Sequence, residues 1–372
     1  MDFVDAMDKM DERDNRGPTP CPQGPPHPRS PRRPLLWAAV LLALPPIFGC
    51  EPMAAPGRSP AGAAPARELP ADSDLPALAR RIVAAGLADP DPQVRANAVE
   101  VVASAREVGL MPIVQKLLAD PVVPVRFAAL LAIGDLEYAL ARNDVAPLVK
   151  DANPNIRIAA AYALTRLGRP ELYQDLCNAL AGDDQTVRAN AALLLGKSGR
   201  KDGLRYLYWA LQRDDSSEMV VLQTAEAIAM LGDARIYPKL WTRLISAYAD
   251  DRVIGVRAMG ALGTDEAESA IFTMLDDKVP EVRLAAAEQL GRHGESAGAR
   301  EVRAVFEQDL AADRDAQARQ RIKVLAALAI GEIGTESLAK YLPPLLQDPA
   351  QTVRLAAAKA VLRRALKQPA IR

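Results

Sequence analysis

One phrase returns along this chain at an almost fixed interval: an acidic residue, a β-branched residue followed by a base, then an alanine-rich apolar run. It reads Asp89-Pro90-Asp91-Pro92-Gln93-Val94-Arg95, then Asp120 to Val125-Arg126, Asp151 to Ile156-Arg157 and Asp183 to Val187-Arg188, so the branched residue falls at 94, 125, 156 and 187, in steps of 31. The beat recurs at Val220 after a step of 33, at Val282 after two more steps of 31, and at Ile322 and Val353. A period of this size marks units that cannot bury their apolar faces alone and must stack on their neighbours. Such an array has no single globular core, and the usual division of length into domains does not apply to it.

Each period holds two helices. The second reads, in one copy, Val282-Arg283-Leu284-Ala285-Ala286-Ala287-Glu288-Gln289-Leu290-Gly291, with apolar residues at helical spacing. Gly168, Gly199, Gly232 and Gly334 each lie twelve residues after the branched position, and Gly263 twelve after its equivalent at 251, where a glycine supplies the left-handed helix end. The first helices are the intervening segments, such as Leu172 to Leu180 and Leu204 to Leu211. Asp or Asp-Pro ahead of the second helix fits an N-cap with proline in the first turn. Hydrophobic residues make up 49% of the chain and aromatics only 4%, so Ala, Leu and Val fill the interior and helices can pack closely. The expected fold is all-α: an α-solenoid of about nine two-helix repeats, with second helices beginning near 94, 125, 156, 187, 220, 251, 282, 322 and 353. An insertion, roughly Glu301 to Arg321, lengthens one step to 40 residues, and its polar part is expected on one rim as a longer helix or loop.

The Val-Arg pairs, alanine-rich helices and terminal glycines resemble the HEAT repeat, in its short bacterial form often called the PBS-lyase-like repeat. The basic row Arg95, Arg126, Arg157, Arg188, Arg252, Arg283, Lys323 and Arg354 invites a phosphate-binding reading. The resemblance implies instead a structural ladder, in which these side chains pair with aspartates of their own and neighbouring repeats. Val221 breaks the row, and Val256-Arg257 offers a competing register for the sixth copy. The broader family includes deoxyhypusine hydroxylase, which holds iron with repeated His-Glu pairs, and the bilin lyases. This chain has two histidines, His27 and His293, and no His-Glu pair, so the iron ligands are not carried over. His293 is expected in a surface loop and Cys177 as a buried, inert thiol. No catalytic residue, metal ligand, cofactor or small-molecule substrate is expected. Net charge is -1 with acids and bases interspersed, which gives no reason to expect nucleic-acid binding.

Ahead of the repeats, Arg29-Ser30-Pro31-Arg32-Arg33 precedes an apolar stretch from Leu35 to Gly49 and then Cys50, the layout of a secretory signal. As a helix that stretch spans roughly 22 Å, short of a bilayer core near 30 Å. Ile47-Phe48-Gly49-Cys50 resembles a bacterial lipobox, which implies lipidation at Cys50 and a mature chain beginning there. Several acyl chains hold a protein on a membrane where one does not. The acidic stretch from Asp2 to Asp14 is foreign to a signal and fits a translation start further in. The expected organisation is a leader over 1–49, a Pro/Ala-rich tether over 50–71, the solenoid over 72–366 and a tail over 367–372. The tether reaches at most about 65 Å, and the expected location is the bacterial cell envelope, on the periplasm-facing side of the inner or outer membrane.

Solenoids present extended concave surfaces and commonly hold other macromolecules. Of thirteen aromatics after Cys50, eight fall between Tyr162 and Tyr248, the region that also contains the 33-residue step and Val221. Tyr162, Tyr206, Tyr208, Trp209, Tyr237 and Trp241 are therefore candidates for contact with a partner protein, or else fillers of a gap left by irregular stacking. Arg166, Arg169, Lys197 and Arg200 fall near the ends of adjacent second helices. They form either an edge for an acidic protein, anionic lipid or polysaccharide, or a solvated rim that answers the helix dipoles. The leading expectation is a non-enzymatic, lipid-anchored scaffold. A bilin-lyase-like or hydroxylase-like enzyme and a cell-wall or polysaccharide binder are the alternatives.

Overall fold

The structure, a computed structural model, describes residues 75–310, 312 and 314–367. The leader, the whole tether with Cys50, residues 72–74 and residues 368–372 lie outside the described residues. Nine helix pairs follow one another: α1 (Leu75–Leu87) with α2 (Pro92–Ser104), α3 (Met111–Lys116) with α4 (Val123–Asp135), α5 (Arg142–Val145) with α6 (Pro154–Arg166), α7 (Tyr173–Ala179) with α8 (Gln185–Ser198), α9 (Leu204–Gln212) with α10 (Glu218–Met230), α11 (Tyr237–Leu244) with α12 (Ala249–Leu262), α13 (Asp265–Thr273) with α14 (Pro280–Arg292), α15 (Ala299–Glu307) with α16 (Ala316–Ile333), and α17 (Glu336–Ala339) plus α18 (Leu342–Leu345) with α19 (Gln351–Lys367). No strand occurs among the described residues, and none of their helices is long and apolar enough to cross a membrane. The insertion adds a loop and an early start to α16, which begins at Ala316, before the branched Ile322.

The array does not stay open. Each second helix packs against the next, and the last, α19, packs against both α1 and α2. Across that seam Lys359 Nζ meets Glu100 Oε1 at 2.8 Å, and Arg363 Nη1 donates to Ser104 O at 3.3 Å. The expected extended concave surface is therefore replaced by a closed ring, in which nine units share a full turn at about 40° each. The second helices form the inner layer. Lys197 of the fourth repeat reaches past the third to Asp135 of the second at 2.9 Å, a span available only on the concave side.

Curvature this tight needs inner helices that nearly touch. Nine residues after the branched position or its equivalent stand Gly134, Gly196, Gly260, Gly291 and Gly331. A Cβ at Gly196 would lie 2.8 Å from Ala227 Cα, and one at Gly291 would lie 2.6 Å from Ile333 N. Only hydrogen fits there, and the axes can close below the usual 8–10 Å range's upper end.

The helix ends follow the expected left-handed glycines: Gly168, Gly199, Gly232, Gly263 and Gly334 all have positive φ, and Gly294 joins them. At the same place in the first two repeats stand Arg106 and Glu137, with φ 54° and 51°. A side chain in that region costs about 1–2 kcal/mol, against about 0.5–1 kcal/mol for the extra freedom glycine has when unfolded. Arg106→Gly is accordingly expected to stabilise the protein by about 0.5–1 kcal/mol, read as a higher urea midpoint. An unchanged or lower midpoint would mean the exposed guanidinium contributes more than the strain removes.

Candidate functional site

The basic row is a ladder with two kinds of bond. Arg95, Arg126, Arg157, Arg252, Arg283 and Arg354 each donate from Nη1 to a backbone carbonyl six residues upstream, at 2.6–2.9 Å, and Arg188 does so from Nε at 2.6 Å. This fixes the turn that enters the helix. The second bond joins repeats: Arg95 to Asp120, Arg188 to Asp215, Arg252 to Asp277, Arg283 to Glu301 and Lys323 to Asp348, all at 2.6–2.8 Å. Among the described residues, Arg126, Arg157 and Arg354 close only on their own repeats. In the sixth repeat the ladder member is Arg252, while Arg257 faces Glu288 at 3.7 Å, which resolves the competing register.

The acids that open each phrase form turns, and the acidic N-caps expected ahead of the second helices follow them at Asp91, with Pro92 in the first turn, Asp184 and Asp315. Asp89, Asp120, Asp151, Asp277 and Asp348 accept from the backbone N–H two residues on, at 2.8–2.9 Å, forming Asx turns. The caps come later, from Asp91, Asn153, Asp184, Ser217 and Asp315. At Asp277 burial raises the carboxyl pKa, but the bonds from Arg252 and the Val279 N–H outweigh it and hold the group below the usual carboxylate range. The ladder is thus an internal brace, and the phosphate reading of the row loses its donors to it.

The six aromatic candidates do not form one surface. Tyr162 is 1% exposed, with its hydroxyl donating to Asp135 Oδ1 at 2.6 Å, because it sits at the inner layer where Gly134 makes room for its ring. Tyr206 is 7% exposed. Neither is available to a partner, and both fill the stack. Tyr208 and Trp209 are half-buried under arginines, Arg235 at 4.8 Å and Arg213 at 4.7 Å from the ring centroids. Half-buried Tyr237 stacks on Trp241 at 6.2 Å, and Trp241 is 38% exposed. The basic edge is also internally answered: Arg166 pairs with Glu137, Arg169 with Glu171, Lys197 with Asp135 and Arg200 with Asp202. Arg200 lies over the Tyr173 ring as well, 3.9 Å from its centroid.

The sequence reading named Trp241 but missed the exposed aliphatic side chains beside it, Ile245 and Ile254. Trp241 and Ile245 at the end of α11, then Tyr248 and Ile254, form a run of exposed large apolar side chains within fourteen residues of chain. Between α10, α11 and α12 a shallow groove is floored by Val221, Ala225, Leu240 and Ile254, with Lys239 and Arg243 at its edge. The sequence did carry the signal, since Val221 stands there in place of the ladder arginine.

Cys177 is fully buried, and burial pushes its thiol up to about 12, which fits the expected inert thiol. His293 is exposed in the turn that follows α14, as expected, and its Nε2 is 2.8 Å from Gly260 O of the preceding repeat. Among the described residues no three of His, Cys, Asp and Glu gather in a way that could hold a metal ion.

Comparison with known proteins gives the repeat a name. A family model for HEAT repeats matches residues 112–185 and 173–254, and a second HEAT-repeat model matches 269–292. No curated protein matches the chain. Among solved structures, human deoxyhypusine hydroxylase in complex with glycerol is similar at 18% identity, over 72% of this chain and 99% of that one, with a TM-score of 0.35. The complex of CpcE and CpcF of phycocyanin lyase from Nostoc sp. PCC7120 is similar at 18% identity, over 68% of this chain and 94% of that one, with a TM-score of 0.38. A mutant of Kap121p is similar at 14% identity, over 78% of this chain and 37% of that one, with a TM-score of 0.31. The chain therefore carries HEAT repeats over residues 112–254 and 269–292, inside a run of like helix pairs that continues beyond them in both directions.

Proposed function

We propose that this protein is a non-enzymatic scaffold, lipid-anchored through Cys50 in a bacterial cell envelope, that binds another protein through the outer face of its fifth and sixth repeats. The observation that carries the binding surface is the exposed Trp241, backed by Tyr237 and followed by Ile245 and Tyr248. Aromatic side chains of this kind anchor protein interfaces, and a closed ring leaves the outer face and rims as the surfaces a folded partner can reach. The anchor rests on the lipobox-like sequence Ile47-Phe48-Gly49-Cys50. A membrane-held ring on a proline-rich tether would keep a partner near the bilayer without contacting it.

Cross-linking in intact cells of the native host, followed by purification and mass spectrometry, tests this. One abundant envelope protein is expected with the wild-type chain, and a loss of about ten-fold or more with the Trp209→Ala, Trp241→Ala double variant. Cys50→Ala is expected to move the protein from the membrane to the soluble fraction. Unchanged cross-linking in the tryptophan variant would sink the site. Equal soluble recovery of the wild-type and Cys50→Ala forms would sink the anchor. Chromophore or iron bound to the purified protein would turn the assignment to an enzyme of the bilin-lyase or hydroxylase kind.

A further inference from the structure

The two rims of the ring differ, and the chain enters on one of them. Each first helix runs against its second, so the rim where second helices end is the rim where first helices begin. Arg80, in the first half of α1, pairs there with Glu107, just beyond α2, at 2.9 Å. Toward the other end of α1, a Cβ on Gly86 would lie 3.1 Å from Leu355 Cδ2, near the start of α19. Leu75, 25 positions after Cys50, therefore opens α1 on the rim of the second-helix ends. Three exposed aliphatic side chains flank that entry: Leu366 at the end of α19, 51% exposed, Val108 after α2, 53%, and Leu140 after α4, 77%. They belong to consecutive units, since Arg363 Nη1 ties the end of α19 to Ser104 O at the end of α2. Among the described residues, the corresponding turns of repeats three to eight expose no large apolar side chain.

Charge divides the same rim in the same place. In repeats nine and one to four, the segments that leave the second helices (363–367, 104–110, 135–141, 166–172 and 197–203) carry nine bases against five acids. In repeats five to eight (230–236, 261–267, 292–298 and 332–338) they carry two against six. A facing surface responds to charge summed over a Debye length of about 8 Å, so pairs such as Arg166–Glu137 and Lys197–Asp135 leave the positive surplus standing. Arg106 and Lys201 are exposed and have no ion pair among the described residues.

Resting on the reading that Cys50 carries lipid, we infer that the rim of repeats nine and one to four lies against the anionic phospholipid surface that the anchor enters. Leu366, Val108 and Leu140 dip into the headgroup layer, and the surplus of bases around them is held by lipid phosphates. The acidic half of the rim is repelled, so the ring tilts down on the side where its chain enters. Three aliphatic side chains and a few charges do not hold a protein on a membrane by themselves; they orient one that the acyl chains have already brought there. Trp241 and Ile245, at the end of α11, stand on the opposite rim and across the ring, where a partner stays clear of the bilayer.

The full chain, purified from host membranes and reconstituted on vesicles, is given a nitrobenzoxadiazole probe at Ala139→Cys, exposed beside Leu140, or at Asp214→Cys, exposed on the opposite rim. The mass of the N-terminal peptide reports the acyl chains separately. At Ala139→Cys the emission is expected to brighten and shift to the blue on vesicles of phosphatidylglycerol and phosphatidylcholine in equal parts, and much less on phosphatidylcholine alone. At Asp214→Cys it should not move. Arg106→Glu with Lys201→Glu is expected to lower the ratio of contacting to free rim about ten-fold or more. Glutamate suits position 106, since Glu137 holds the same place in the next repeat with φ 51°, and thermal unfolding checks that the ring is intact. An acylated chain with no shift, or with an equal shift at Asp214→Cys, overturns the rim contact and leaves the anchor standing. An equal shift on phosphatidylcholine, untouched by the charge reversal, overturns the anionic surface. So does a shift seen in host membranes but not on protein-free vesicles, which would make the occupant a membrane protein. A chain without acyl groups that still shows the phosphatidylglycerol-dependent shift removes the anchor and keeps the rim.

Discussion

Gly331→Leu is expected to destabilise the ring by about 3 kcal/mol or more, since overpacking against a neighbouring helix leaves no flexible group to yield. Gly331 lies in α16, and a Cβ there would stand 2.6 Å from Ala360 Cα and 2.9 Å from its Cβ, both in α19. Two effects oppose each other. Replacing a mid-helix glycine normally favours the helix by up to about 1 kcal/mol, so at an open site the change would help. At Gly331 the obstacle is backbone, and the two helices must separate to admit any side chain. The order of urea midpoints should therefore be wild type, then Gly331→Ala, then Gly331→Leu. Gly109, which has nothing within 4 Å of a Cβ built on it, is the control, and Gly109→Ala should leave the midpoint within about 0.5 kcal/mol of wild type. A Gly331→Leu protein as stable as wild type would mean the inner helices do not approach as closely as the ring requires.

The repeat count was legible because it depends on local pattern alone: a branched residue, a base and a terminal left-handed position recur wherever a second helix begins and ends. Closure was not legible from the period, because it is the sum of nine small rotations, each set by how near one inner helix comes to the next. The residues that set that distance are the small ones at Gly134, Gly196, Gly260, Gly291 and Gly331, which read in the sequence only as unremarkable members of alanine-rich helices. A second signal was present at the ends. Open arrays finish in capping units with a polar outer face, yet Val94 to Val102 and Val353 to Leu362 are as apolar as any interior second helix. Each is the other's cap. The same closure explains the fate of the site candidates. Tyr162 looked like a contact residue by type, but it falls on the concave face of a layer too tight to expose it. Trp241, on the outer layer, stays accessible. Val221 was visible as a break in the row, but the shallow groove it floors emerges only once α10, α11 and α12 are seen together.

Leu355→Asp separates a ring from an open array more sharply than any core substitution elsewhere. In an open array the far side of the last helix faces water, and an aspartate there would change stability by no more than about 0.5 kcal/mol. In the ring Leu355 is fully buried, with its Cδ2 lying 3.1 Å from a Cβ placed on Gly86 of α1. An unpaired carboxylate at that spot is expected to cost about 4 kcal/mol. The chain should respond by parting at the seam, read as an increased radius of gyration in small-angle scattering with helix content retained. The neighbouring ion pair gives a reversible form of the same test. Lys359 and Glu100 are each about nine-tenths buried as side chains and 2.8 Å apart, so Lys359→Glu alone sets two carboxylates together and is expected to cost about 3 kcal/mol. Adding Glu100→Lys restores an opposite-charge pair and should recover most of that loss and the compact radius. Recovery would require residues 259 positions apart in sequence to touch in solution. Additive, unrecovered losses would mean that they do not, and that the array is open.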